Sequence, residues 1–118
     1  MPQSMPDAPT LLSAAVKYLE EELLPALEGY HRFKTRVTVN VLNTIRRELE
    51  LRGTQAAAER TRLAAILGHD GEVDELSIEL SERIRSGAID LNDPAMRAHL
   101  RQSVADALAI NNPKWINR

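Results

Sequence analysis

Apolar and polar positions recur along this chain with the period of an α-helix almost throughout. The run from Phe33 to Leu51, FKTRVTVNVLNTIRRELEL, shows it best. Val37, Val41, Ile45 and Leu49 fall four apart, and Phe33 continues the row. Arg36, Asn40, Asn43 and Arg47 recur at spacings of four, three and four on another side. A helix advances about 100° per residue, so each set forms a stripe. The apolar stripe predicts a buried face, with Val41 and Ile45 at its centre. The Arg/Asn stripe predicts partners such as carboxylates, phosphates or carbonyls, because arginine offers a planar fork of donors and asparagine offers donors and acceptors.

The same reading covers the rest of the chain. Residues 1–9 hold three prolines and read as a flexible leader. Thr10 is placed to cap a first helix whose inward face is Leu11, Leu12, Ala15, Val16, Leu19, Leu23, Ala26 and Leu27. Pro25 lacks an N–H and its ring clashes with the preceding turn, so a kink near Glu21 or a restart at Leu24 is expected. Gly29 to Arg32 read as a turn. A second helix follows from Phe33 to Arg52, with Gly53 as its C′ residue. Thr54 then caps a third helix ending at Leu67, with Ala57, Leu63, Ile66 and Leu67 inward. Gly68-His69-Asp70-Gly71 breaks the pattern. A fourth helix over 72–85 turns Val73, Leu76, Leu80 and Ile84 to one side, and Ser86-Gly87 ends it. In the connector 88–92, Ile89 and Leu91 are expected to tuck inward. Asp93-Pro94 is a strong helix start. A fifth helix to Ile110 buries Met96, Leu100, Val104, Ala107 and Leu108, and Asn111-Asn112-Pro113 stops it. Trp115 is expected to fold back as an anchor. No strand pattern competes. The expected fold is all-α, a single compact bundle of about five helices over residues 10–118.

Composition narrows the function classes. In 118 residues the hydrophobic share is 43% and the aromatic share 3%, so the core rests on Leu, Ile, Val and Ala. Net charge is −2 with both signs interspersed, which argues against a nucleic-acid footprint. Cysteine is absent, which removes disulfides, thiolate metal sites and cysteine nucleophiles. The N-terminus lacks a basic signal-peptide region, and no apolar run spans a bilayer. A cytoplasmic protein without membrane or nucleic-acid partners is expected.

Candidate chemistry is thin. Glu22 and Glu48 fall near the edges of apolar faces, where a pocket that raised one carboxyl's pKa would permit acid–base work. Half-buried glutamates matched by Arg36 or Arg47 are the simpler account. His31, His69 and His99 lie in separate segments, so no metal site is expected. Glu28-Gly29-Tyr30-His31 has the spacing of half a di-iron motif but lacks its second half. Gly68-x-x-Gly71 lacks the Lys-Ser/Thr of a phosphate loop. Ser81, Ser86 and Ser103 have no base placed by spacing. No catalytic residue or cofactor is expected. The tentative site is the set Arg36, Asn40, Asn43 and Arg47, as a grip on a small anionic ligand or as a polar seam.

The succession LEEELLPALEG, RFKTRVTVNVLNTIRRELEL, LSIELSERIRSGAIDLNDPAMRAHLR and LAINNPKW resembles a small bacterial family of helical proteins of unknown function. The likeness covers the chain from Leu11 to Trp115. It is strongest at Arg32-Phe33, Arg36 with Asn40, Glu48-Leu49, the Arg83–Asp90 turn and Asn112-Pro113. Genes of that family often stand beside aminoglycoside-phosphotransferase-like kinases and acyl-CoA dehydrogenases. The resemblance therefore implies an accessory or protein-interaction role in acyl-CoA or small-molecule catabolism, with such an enzyme as partner; a homo-oligomer is the other association expected. Its alternative is a binding protein or weak enzyme for an acyl-CoA or a phosphorylated metabolite.

Overall fold

The computed structural model describes residues 6–115, excepting the side chain of Trp115. The first five residues of the expected leader and the expected tryptophan anchor therefore lie outside the described residues. Every regular element among the described residues is helical. There are four α-helices: α1 (Ala8–Tyr18), α2 (Gly29–Leu67), α3 (Val73–Ser86) and α4 (Pro94–Asn111). None of them is long and apolar enough to cross a membrane.

Helix α1 starts two residues before the expected cap. Asp7, not Thr10, is the N-cap: its carboxylate accepts the Thr10 N–H at 3.0 Å, and Pro9 sits in the first turn. The interruption expected around Pro25 is present. Leu19–Leu23 widen into a π turn, closed by the Leu24 N–H on the Leu19 carbonyl. Leu24–Ala26 then tighten into a 3₁₀ turn. Widening just ahead of Pro25 is how a chain accommodates a ring without an N–H. Arg32 Nη1 donates to the Leu24 carbonyl at 2.9 Å and ties this corner to α2.

Helix α2 departs most from expectation. Gly29–Arg32 are its first turn rather than a loop, and Gly53 lies in its interior rather than after its end. The expected second and third helices are thus one, and four helices replace five. Gly53 does not take the positive φ of a C′ glycine, unlike Gly68 (φ 86°) and Gly87 (φ 84°), which close α2 and α3. A single interior glycine costs a helix about 1 kcal/mol, which good helix formers on both sides override.

The chain divides into two compact units, one running to Arg52 and the other starting at Gly53. In the first, α1 and the first half of α2 form a hairpin. Asp7, Pro9, Thr10 and Ser13 share a shallow groove with Leu49 and Glu50, so the two helices of the hairpin run antiparallel. Among the described residues, its buried hydrophobic side chains are Val16 and Val39. The inner side of α2 there follows Arg32, Thr35, Val39, Leu42 and Arg46. Of the expected core row, Phe33, Val37, Val41 and Ile45 lie on the opposite side and Leu49 borders the groove beside α1; all five are exposed.

The second unit holds a denser core of Leu63, Leu67, Leu76, Leu80 and Met96, with Ile66, Val73, Ile84 and Ile89 packed against it. The inward faces expected for 54–67 and 72–85 are largely the ones used, though Ala57 is exposed. Ile89 tucks in as expected, whereas Leu91 is exposed. Asp93 caps α4 by accepting the Met96 N–H at 2.9 Å. Met96 is buried as expected, but Leu100, Val104 and Ala107 face solvent. His99, Ser103 and Asp106 occupy the inner side in their place.

Candidate functional site

The inward turn of those polar residues builds the most developed site of the molecule. Between the second half of α2 and α4 runs a groove of about 750 Å³. Ala58, Ala65, Ala95 and Ala98 line much of it, and Arg62, His99, Gln102 and Asp106 give it a polar wall. The small alanines leave the space, and the spacing 96, 99, 103, 106 on α4 aims its polar side chains toward α2.

Arg62 organises the wall. Its Nε donates to His99 Nδ1 at 3.1 Å. With Nδ1 accepting, the neutral imidazole carries its proton on Nε2. Burial first, and the Arg62 charge second, hold the His99 pKa below the usual histidine range. Asp106 Oδ2 stands 3.8 Å from Arg62 Nη2, close enough for charge pairing but not for a hydrogen bond. Asp106 Oδ1 accepts from Gln102 Nε2 at 2.8 Å, and the Asp106 carbonyl accepts from Gln55 Nε2 at 3.0 Å. Among the described residues, two buried polar atoms, Arg62 Nη2 and Ser103 Oγ, have no hydrogen-bond partner.

His99, Ser103 and Asp106 share a face but are not wired as a relay. His99 Nδ1 is committed to a cation, Asp106 is held by Gln102, and Ser103 Oγ bonds to neither. A nucleophile needs a base within hydrogen-bond reach and an orienting group behind it, and this arrangement links none of these in that order. It can seat an apolar group along the alanines and meet an acceptor at Arg62.

A second polar cluster lies on the surface of the same unit. Arg60 Nε and Nη2 grip the Asp70 carboxylate at 2.9 and 3.2 Å. His69 Nε2 donates to Glu79 at 2.8 Å and its Nδ1 to the Asp70 carbonyl at 3.1 Å. Both ring nitrogens face oxygen, so the bond to Glu79 first and that to Asp70 second raise the His69 pKa. Arg83 completes the cluster on Glu79 at 2.6 Å. It staples the 68–71 turn onto α3.

The residues expected to form a site sit elsewhere. Arg36 and Asn40 are exposed, and Asn43 and Arg47 are half-buried. Asn43 Oδ1 accepts from Arg46 Nη2 at 3.4 Å, and Arg47 Nη2 donates to Thr44 Oγ1 at 3.3 Å. These bonds stay within α2. Glu48 pairs with Arg52 one turn on, and Glu22 is exposed. Among the described residues no three His, Cys, Asp or Glu side chains are grouped to hold a metal ion. The groove at Arg62 escaped sequence reasoning because its residues read as the polar side of an amphipathic helix. The available signal was phase: His99, Ser103 and Asp106 continue the 3.6-residue line that starts at the buried Met96.

Comparison with curated proteins and with solved structures finds no match. A family model described as a domain of unknown function, DUF6285, matches residues 25–115, from the Pro25 corner to the end of the described chain. The chain belongs to that family.

Proposed function

We propose that this chain is a non-enzymatic interaction module that works by docking rather than by turnover. One observation carries the reading: the apolar row Phe33, Val37, Val41, Ile45 and Leu49 continues over four turns of α2 and is exposed along its length. Scattered apolar residues are ordinary on a protein surface, but a contiguous row marks an interaction site. With the resemblance described above, the finer proposal is an accessory role in the bacterial cytoplasm, beside a phosphotransferase-like or acyl-CoA enzyme. The test is co-purification of tagged wild type and Val41→Glu from the native host. A protein retained by wild type and lost with the variant is expected; identical profiles would overturn the reading.

A second reading rests on a different observation, the Arg62 Nη2 that pairs with Asp106 by charge but makes no hydrogen bond, beside an apolar groove. It is that the chain binds a small anionic ligand, either there or on the Arg36, Asn40, Asn43 and Arg47 stripe. A ligand that binds only the folded state raises the melting temperature by mass action. Melting of wild type, Arg62→Gln and Arg36→Ala against acyl-CoA and nucleotide panels decides it. A shift lost in Arg62→Gln places the ligand in the groove, one lost in Arg36→Ala places it on the stripe, and no shift in wild type removes this reading.

A further inference from the structure

The outer side of α2 has an order of its own. Tyr30, Lys34, Val37, Val41, Ile45, Glu48 and Arg52 are spaced four, three, four, four, three and four. At about 100° per residue they fall in one band roughly 80° wide, running straight along the helix. The band reads the same from either end about Val41. Val37 mirrors Ile45, Lys34 mirrors Glu48, and Tyr30 mirrors Arg52. Phe33 and Leu49 flank it at equal distances from the centre. The two ends are already organised: Lys34 Nζ lies 5.9 Å from the centre of the Tyr30 ring, and Arg52 pairs with Glu48.

We propose, building on the interaction-module reading, that the occupant of this face is a second copy of the chain, laid antiparallel on the first with Val41 against Val41. Charge selects the copy and its direction. Antiparallel pairing sets Lys34 against Glu48 and Tyr30 against Arg52 at both ends, with an apolar centre between them. Parallel pairing would set Lys34 against Lys34, Glu48 against Glu48 and Arg52 against Arg52, and like charges in register are destabilising.

Area agrees. Tyr30, Phe33, Val37, Val41, Ile45 and Leu49 are 68%, 63%, 40%, 52%, 40% and 52% exposed. Covered completely, these side chains would remove roughly 650 Å² per copy and about 1,300 Å² for a pair, a ceiling at the lower end of the ~1,200–2,000 Å² that stable interfaces bury. The hairpin has a use for this cover, since Val16 and Val39 are its buried hydrophobic side chains among the described residues.

The absence of cysteine makes the register directly testable in the full chain. Under mild oxidation Val41→Cys should cross-link to itself. Val37→Cys and Ile45→Cys should cross-link to each other in a mixture but not each alone, because like positions lie about 12 Å apart along the antiparallel axes, beyond disulfide reach. In sedimentation equilibrium, wild type should be dimeric. Lys34→Glu should raise the dissociation constant roughly tenfold or more, and Lys34→Glu with Glu48→Lys should recover it. Self-linking of Val37→Cys would overturn the antiparallel order. A wild-type monomer at 100 µM or above would overturn the second copy as occupant. If that monomer still retained a host protein through Val41, the interaction-module reading would survive alone; if it retained none, both would fall.

Discussion

Gly53 occupies the interior of α2 with nothing within 4 Å of where a Cβ would stand, and its φ is not positive. It therefore carries the entropy cost of glycine without using its freedom. Gly53→Ala should stabilise the protein by about 0.5–1 kcal/mol, read as a higher urea midpoint at unchanged slope. Destabilisation would show that α2 needs to bend there. Single histidines set opposite pH dependences. His69 has a raised pKa, so its contribution is fully present below about pH 6.5 and lost as pH rises through the folded value. His99 has a lowered pKa, so the folded state is favoured above about pH 6.5 and loses ground as pH falls toward the folded value. His69→Gln should flatten the alkaline side of the stability profile and His99→Gln the acid side. Arg62→Met should move the His99 titration upward, because its positive neighbour is gone. Burial, the larger cause, remains, so the NMR-monitored value should stay below the ordinary one. An unmoved His99 in Arg62→Met would refute the Arg62–His99 contact.

At the scale of elements, what the sequence revealed and what it concealed have one cause. Local chemistry was legible: Asp93-Pro94 opens α4, Gly87 closes α3, Pro25 disturbs the first helix, and Leu76 and Leu80 lead inward. Each signal acts through backbone geometry or a short apolar line with one candidate partner. Helix α2 carries two competing lines, and periodicity finds stripes without saying which one is covered. The stronger line, through Val41 and Ile45, is the exposed one, while Val39 and Leu42 turn inward. On α4 the same ambiguity hid the site: Leu100 and Val104 looked inward by hydrophobicity, yet Arg62 on α2 takes His99 and Asp106 as partners. These assignments predict unlike costs for like changes. Leu63→Ala, at 0% exposure, should cost about 2–5 kcal/mol. Ile45→Ala should cost about 1 kcal/mol or less in dilute monomer, since much of its side chain already meets water. Equal losses in urea titrations at micromolar protein would restore Ile45 to the core.

For the whole molecule, the uneven distribution of buried side chains predicts uneven stability. The unit beginning at Gly53 gathers Leu63, Leu67, Leu76, Leu80 and Met96 into one cluster. In the unit ending at Arg52, the buried hydrophobic side chains among the described residues are Val16 and Val39. Opening free energy follows buried apolar contact, so local unfolding should begin in the hairpin. Native-state hydrogen exchange should find the slowest amides around Leu63, Leu67, Leu76 and Leu80, close to the global limit. Amides of α1 and of α2 up to Arg52 should exchange faster, through openings that leave the second unit folded. The shared helix α2 supplies an internal comparison, since one continuous backbone crosses from the weaker unit to the stronger and protection should climb along it past Gly53. Association along the outer side of α2 would act on the weaker unit alone. Raising the protein concentration should then slow exchange over 30–52 while leaving 63–80 unchanged. Uniform protection along α2 at low concentration would show that the helix opens as one piece, and that the core beyond Gly53 stabilises the hairpin as strongly as itself.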